Sequence, residues 1–124
     1  MTKPLALVFY ESLLPGSQLV NRLQDLGYRV VSHTDAGTLV VQTKELRPFL
    51  LIVDLGQNLR LCEIIRELKQ APETQHIPAL AFARDGQEDL RAAAHAAGAA
   101  LVTGEVAILA HLRELLEQAL EVGP

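Results

Sequence analysis

Five apolar runs of strand length, separated by stretches of helical period, constrain this chain more than any other feature. Leu5-Ala6-Leu7-Val8-Phe9-Tyr10 opens the series, and Tyr28 to Val31, Phe49 to Val53, Ile77 to Ala83 and Ala100 to Thr103 continue it. Runs so short and so continuously apolar read as strands buried on both faces, since a half-exposed strand would alternate polar with apolar. Strands separated by helices do not join as tight hairpins. The pattern therefore predicts an α/β chain with a parallel sheet covered by helices on both sides.

The intervening stretches supply the helices. Pro15 suits a first turn, Leu19, Leu23 and Leu26 give an apolar face, and Gly27 marks the end. Asp35 to Leu46 is a weaker helix, with Gly37 and several β-branched residues against it. Leu61, Ile64, Ile65 and Leu68 form the apolar stripe of a third helix. Asp85-Gly86-Gln87-Glu88 resembles a capping box opening a fourth that ends at Gly98. Val106, Leu109, Leu112, Leu116 and Leu120 carry a fifth and final helix. No linker, repeat or charge block interrupts the series, so residues 1–124 read as a single domain with five strands and five helices.

Composition removes several function classes. Hydrophobic residues make up 49% of the chain, which belongs to a globular domain rather than a disordered one. The net charge is −4, the basic residues are scattered from Lys3 to Arg113, and the aromatics do not interleave with them, so no direct nucleic-acid surface is expected. No apolar run reaches the roughly 18 residues of a membrane span. Met-Thr-Lys-Pro leads straight into a strand pattern rather than a signal peptide. The lone Cys62 excludes an internal disulfide and fits a cytoplasmic protein, and its place on a helical stripe predicts a core residue. His33, His76, His95 and His111 lack metal-ligand spacing and are expected on the surface. Leu14-Pro15-Gly16-Ser17 holds too few glycines for a phosphate loop.

In open α/β sheets ligands gather beyond the carboxyl ends of the strands. That rule collects Tyr10, Glu11, Asp54, Ala83, Arg84 and Thr103 to Glu105 around one crevice. Asp54 is the most informative of them. It ends the strongest strand and precedes a glycine loop, and a carboxylate at the mouth of a buried strand costs stability unless something uses it.

Leu26-Gly27-Tyr28, Arg47-Pro48, Asp54, Ile77-Pro78 and Ala97-Gly98-Ala99, in this order and spacing, resemble the receiver domains of two-component response regulators. The resemblance runs over nearly the whole chain. It implies a flavodoxin-like, doubly wound sheet of order 2-1-3-4-5, with a phosphoryl group passing from a histidine kinase to Asp54. In that family two acidic residues after strand one hold Mg²⁺ with the acceptor. A Ser or Thr after strand four and a Lys after strand five bind the phosphoryl oxygens. Such groups are needed because a carboxylate attacking an anionic phosphoryl donor meets repulsion.

Carried onto this chain, the acidic pair falls on Tyr10 and Glu11, the hydroxyl on Ala83, and the Lys on Gly104 or Glu105. Independently of alignment, no Lys follows Lys69 and no Ser or Thr lies between Thr74 and Thr103. The resemblance is thus to a divergent, pseudo-receiver-like member, with Glu11 and Asp54 as weak Mg²⁺ candidates. Arg84, where the family has a small residue, is expected to reach Asp54 or Glu11 and supply a built-in positive charge. Each residue also has a plainer reading: Asp54 as a strand-end cap, Glu11 as a solvated carboxylate, Arg84 as a surface residue, Tyr10 as packing rather than a plug.

Three functions follow. The leading one is a non-enzymatic signalling module that binds a protein, either a histidine kinase or a downstream signalling protein. In the family the face of helix four, strand five and helix five meets partners or a second copy. Here Arg91, His95, His111, Arg113, Glu114 and Glu117 fall there, a charge mixture suited to salt-sensitive docking or homodimerisation. The second is a phosphate-accepting receiver using Asp54 and Mg²⁺. The third is a small-ligand-binding doubly wound domain, although no nucleophile–base pair accompanies Glu11, Asp54 and Arg84.

Overall fold

Every residue of the first apolar run from Leu5 to Phe9 is buried, in strand β1 (Leu5–Phe9). In the computed structural model, which describes residues 3–121, the chain continues through α1 (Leu13–Asp25), β2 (Arg29–His33), a 3₁₀ turn (Ala36–Thr38) and α2 (Leu39–Leu46). Then come β3 (Leu50–Asp54), α3 (Leu59–Gln70), β4 (Ala79–Ala83), α4 (Glu88–Ala97), β5 (Leu101–Gly104), α5 (Glu105–Ala110) and α6 (Leu112–Glu121). The strands form one parallel sheet of order β2-β1-β3-β4-β5, the predicted doubly wound topology.

Successive side chains of a strand point to opposite faces, and here this divides the core in two. Leu7, Phe9, Leu51, Val53, Ala79 and Ala81 pack with residues of α2, α3 and α4, among them Leu39, Leu61, Ile65, Leu90 and Ala94. Ala6, Val8, Leu50, Ile52, Leu80 and Phe82 pack with Leu19 and Leu23 of α1, Ile108 of α5, and Leu112 and Leu116 of α6. Large side chains fully removed from water, such as Phe9 and Phe82, each contribute about 2–3 kcal/mol of burial free energy. Cys62 lies in the first of these cores, and its thiol approaches the Leu90 carbonyl at 3.6 Å.

The departures from expectation have local causes. Six α-helices are present among the described residues rather than five, because the last predicted helix breaks at His111 (φ −127°, ψ 34°). The break re-aims the apolar face. Ile108, Leu112, Leu116 and Ala119 become the buried set, while Val106 is 73% exposed. The helix expected from Asp35 begins instead as a 3₁₀ turn, with the Asp35 carboxylate accepting from the Gly37 N–H at 3.0 Å. The fourth helix starts at Glu88, capped by neither Asp85 nor Gln87 through a side chain. The strand predicted over Phe49–Val53 runs one residue later, which leaves Phe49 outside it and takes Asp54 in. No described helix is long and apolar enough to cross a membrane.

Candidate functional site

Asp54 is the last residue of β3 and pairs in register with Phe82 of β4. The next residues turn sharply. Gly56 adopts φ 56°, a left-handed conformation that favours glycine, and its N–H donates to Asp54 Oδ1 at 2.9 Å. The Asn58 N–H bonds back to the Leu55 carbonyl, and the Asn58 side chain caps α3 by accepting from the Arg60 N–H at 2.9 Å. The turn thus fixes the carboxylate at the mouth of a cavity of about 350 Å³.

Glu11, Asp54, Arg84 and Glu105 all stand in the wall of that cavity, so four residues predicted for the crevice do meet. Ser12, Gln57, Asn58 and Phe82 join them, and none of these was singled out from sequence. Asn58 carried a detectable signal, an Asn before the apolar stripe of a helix. Ser12 and Gln57 carried none, since only the third dimension brings them close.

The other predicted residues lie elsewhere. Ala83 is buried in the core beneath α3 and α4. Gly104 pairs with Ala83 across β4 and β5. The Tyr10 ring packs on the backbone of α1, where a Cβ on Gly16 would run into ring carbons, and it joins the core of that face. Packing accounts for Tyr10.

Arg84 differs from expectation in its partner. Its Nε lies 3.4 Å from Glu105 Oε2, and this is the sole ion pair among the described residues. The Arg84 side chain is 66% exposed, so the pair contributes at most about 1 kcal/mol. Glu105, one of the two positions at which the resemblance puts a Lys, is a carboxylate, and the Arg84 guanidinium is turned toward it. Burial pushes the Asp54 carboxyl up from its ordinary value. The Gly56 N–H opposes this, Glu105 adds to the rise, Arg84 opposes it, and Glu11 adds a further rise.

These residues do not fit a Mg²⁺ centre held by side chains. Among the described residues no group of three His, Cys, Asp or Glu could hold an ion. Glu11 and Asp54 share the cavity, but Glu11 is exposed and one Asp54 oxygen is engaged by Gly56.

A stability measurement checks the burial of Asp54. With its folded pKa raised, its charge costs stability at neutral pH, and acidification through the folded pKa toward the lower unfolded value relieves that cost. Asp54→Asn keeps an acceptor for Gly56. It should raise the stability at pH 7 by up to about 1 kcal/mol, discounted for solvent screening. The gap between variant and parent should close as the pH falls through that window. A gap that widens on acidification would contradict the assignment.

The interface candidates separate. Helix α4, with Arg91 and His95, covers one face of the sheet, and α5 and α6 cover the other, so the two groups meet only around the β5 edge. Arg113 and Glu114 line a cavity of about 390 Å³ with Arg22 and Asp25 of α1, on the side away from α4. His95, His111 and Glu117 are exposed.

No protein-family model matches the sequence, and no curated protein is significantly similar to it. Solved structures do match. A response regulator from Thermotoga maritima superposes with a TM-score of 0.81 at 18% identity, covering 97% of this chain and 99% of that one. The signal receiver domain of a modulated diguanylate cyclase from Desulfovibrio desulfuricans gives 0.80 at 19% identity, covering 97% and 95%. A chemotaxis response regulator of Vibrio cholerae gives 0.74 at 18% identity, covering 92% and 99%. With sheet order, helix placement and the position of Asp54, these likenesses show that the chain has the fold of response-regulator receiver domains.

Proposed function

We propose that this domain is a receiver-like signalling module that works by binding another protein and does not depend on phosphorylation of Asp54. The observation that carries the reading is the Arg84–Glu105 pair. An anionic phosphoryl donor entering this cavity would meet Glu11, Asp54 and Glu105, with a single guanidinium already shared. Phosphoryl transfer is catalysed mainly by electrostatic stabilisation of the transferring group, and here the sign of that interaction is unfavourable. The module would reside in the cytoplasm and turn over no substrate. Its partner would be a histidine kinase or a downstream signalling protein.

The docking surface in this reading lies at the β5 edge, between Arg91 and His95 of α4 and the start of α5. Val106 gives that edge an exposed apolar centre, and the charges around it would make binding salt-sensitive. A second copy of the chain could use the same edge.

The second reading is an acceptor with reduced machinery. It rests on the Asp54 carboxylate opening into the cavity with one oxygen outside the Gly56 bond. In that reaction a carboxylate oxygen attacks phosphorus, the bond to the donor oxygen breaks, and the donor leaves with the electron pair. With acetyl phosphate the products are an acyl phosphate on Asp54 and acetate.

Intact mass after incubation with acetyl phosphate and Mg²⁺ separates the two readings. The expected result is no adduct at any Mg²⁺ concentration. A phosphoryl adduct that disappears in Asp54→Asn would establish the second reading instead.

A further inference from the structure

The opposite end of the sheet carries another cavity, larger than the one at Asp54, at about 540 Å³. Its floor is apolar: Leu5 at the start of β1, Phe49 before β3, Pro78 before β4 and Leu120 of α6. Its remaining polar groups are basic, Arg29, Arg47 and His76, and among the described residues no lining residue is acidic. That is unexpected in a chain of net charge −4. The nearest acids in sequence, Glu45 and Glu121, stand outside the lining.

The topology builds this arrangement. Leu5 pairs with Arg29, and the Phe49 N–H donates to the Leu5 carbonyl, so the starts of β2 and β1 and the residue entering β3 lie side by side. Arg47 is the sole described non-glycine residue with positive φ, at 45°, a backbone conformation that costs about 1 kcal/mol or more. Lys69 pins the other wall. Its Nζ donates to the Ile77 carbonyl at 2.6 Å and to the Gln75 carbonyl at 3.3 Å, on either side of His76. Phe49 is 51% exposed, whereas Phe9 and Phe82 are fully buried. A half-exposed aromatic sharing a concavity with two arginines and no described acid has the make-up of a ligand site.

We propose that this cavity binds a small amphiphilic carboxylate, with its apolar body on Phe49, Leu5 and Leu120 and its carboxylate between Arg29 and Arg47. Guanidinium groups suit a carboxylate because their fork matches its two oxygens. The walls come from five separated segments that converge on one point. That shape favours a compact ligand over a peptide, which needs a groove running along an element. The inference is independent of what happens at Asp54, since the two cavities share no residue.

The test is a titration of the whole chain with 4-phenylbutyrate, followed by ¹H–¹⁵N amide shifts, beside the uncharged 4-phenylbutyramide. Saturable shifts are expected at Arg29, Phe49 and Ile77, with the amide binding at least about tenfold more weakly. Arg29→Gln with Arg47→Gln should weaken the acid by about the same factor and leave the amide unaffected. The wild-type comparison of acid with amide stands even if the double variant fails to fold. Equal binding of acid and amide, absence of saturable shifts, or shifts centred on Asp54 would overturn the proposal. So would binding of an acetylated Asp-Phe-Asp amide peptide more than about tenfold tighter than phenylbutyrate, which would mark a protein-docking site instead.

Discussion

Glu105→Lys is expected to promote phosphoryl transfer from acetyl phosphate to Asp54, which on the proposed reading does not occur in the parent chain. The substitution removes a carboxylate from the cavity wall, puts a cation in its place and releases Arg84 from its present partner. One well-placed donor to a developing anion is worth about 10²–10³ in rate, so the adduct should rise from undetectable to readily measured. It should vanish in Glu105→Lys with Asp54→Asn. The same substitution should also draw the Asp54 carboxyl down, because Glu105 now pushes it up. If the variant stays unreactive while that titration moves, the charge of the cavity wall is not what decides transfer to Asp54. Intact mass and an NMR titration of the Asp54 side chain read the two effects separately.

The second large effect should come from Gly16→Ala. In the interior of a helix this change ordinarily stabilises by about 0.5–1 kcal/mol. Here the sign should reverse. A Cβ at residue 16 would run into the Tyr10 ring close to its attachment, where the ring has little freedom to swing aside. A net loss of about 1–3 kcal/mol is expected, read as a melting temperature lower by roughly 5–10 °C. In a Tyr10→Ala background the same substitution should be neutral or stabilising. Thermal melts of the four proteins complete the cycle. Additive losses would show that the ring and the helix do not compete for that space.

Much of the fold is legible in the sequence because burial on both faces leaves a plain mark. The runs at Leu5, Phe49 and Ile77 are apolar at nearly every position, and each forms or adjoins a central strand. Gly27 and Gly98 end their helices with positive φ, as glycine after an apolar stripe implies. The errors fall where local signals compete with packing. Val106 and Leu109 match a helical period, yet the bend at His111 puts Ile108 against the sheet, and no Pro or Gly announces that bend. Asp85 has the chemistry of a cap, but the helix starts too far along for its side chain to serve.

The candidate site was legible in part of its membership and not in its pairing. The strand-end rule gathered Glu11, Asp54, Arg84 and Glu105 correctly into one cavity. It could not tell which carboxylate Arg84 would choose. Glu105 opens α5 and Arg84 follows β4, and β4 and β5 are adjacent, so this pair needs no side chain to cross the cavity. Asp54 sits deeper, with Gly56 already bonded to it. Arg113 and Glu114 show the same limit. They fall within the predicted helix, but helical phase after His111 turns them toward α1.

The division of the interior has a mechanical consequence. Asp54 is in register with Phe82, and Phe82 both lines the cavity and belongs to the layer of α1, α5 and α6. The carboxylate therefore has two direct routes outward. Through Phe82 it meets the α1–α5–α6 layer, and through the Gly56 bond and the Asn58 cap it meets the head of α3. A disturbance at Asp54 is felt on both faces of the sheet at once, with the β3–α3 turn as the hinge between them.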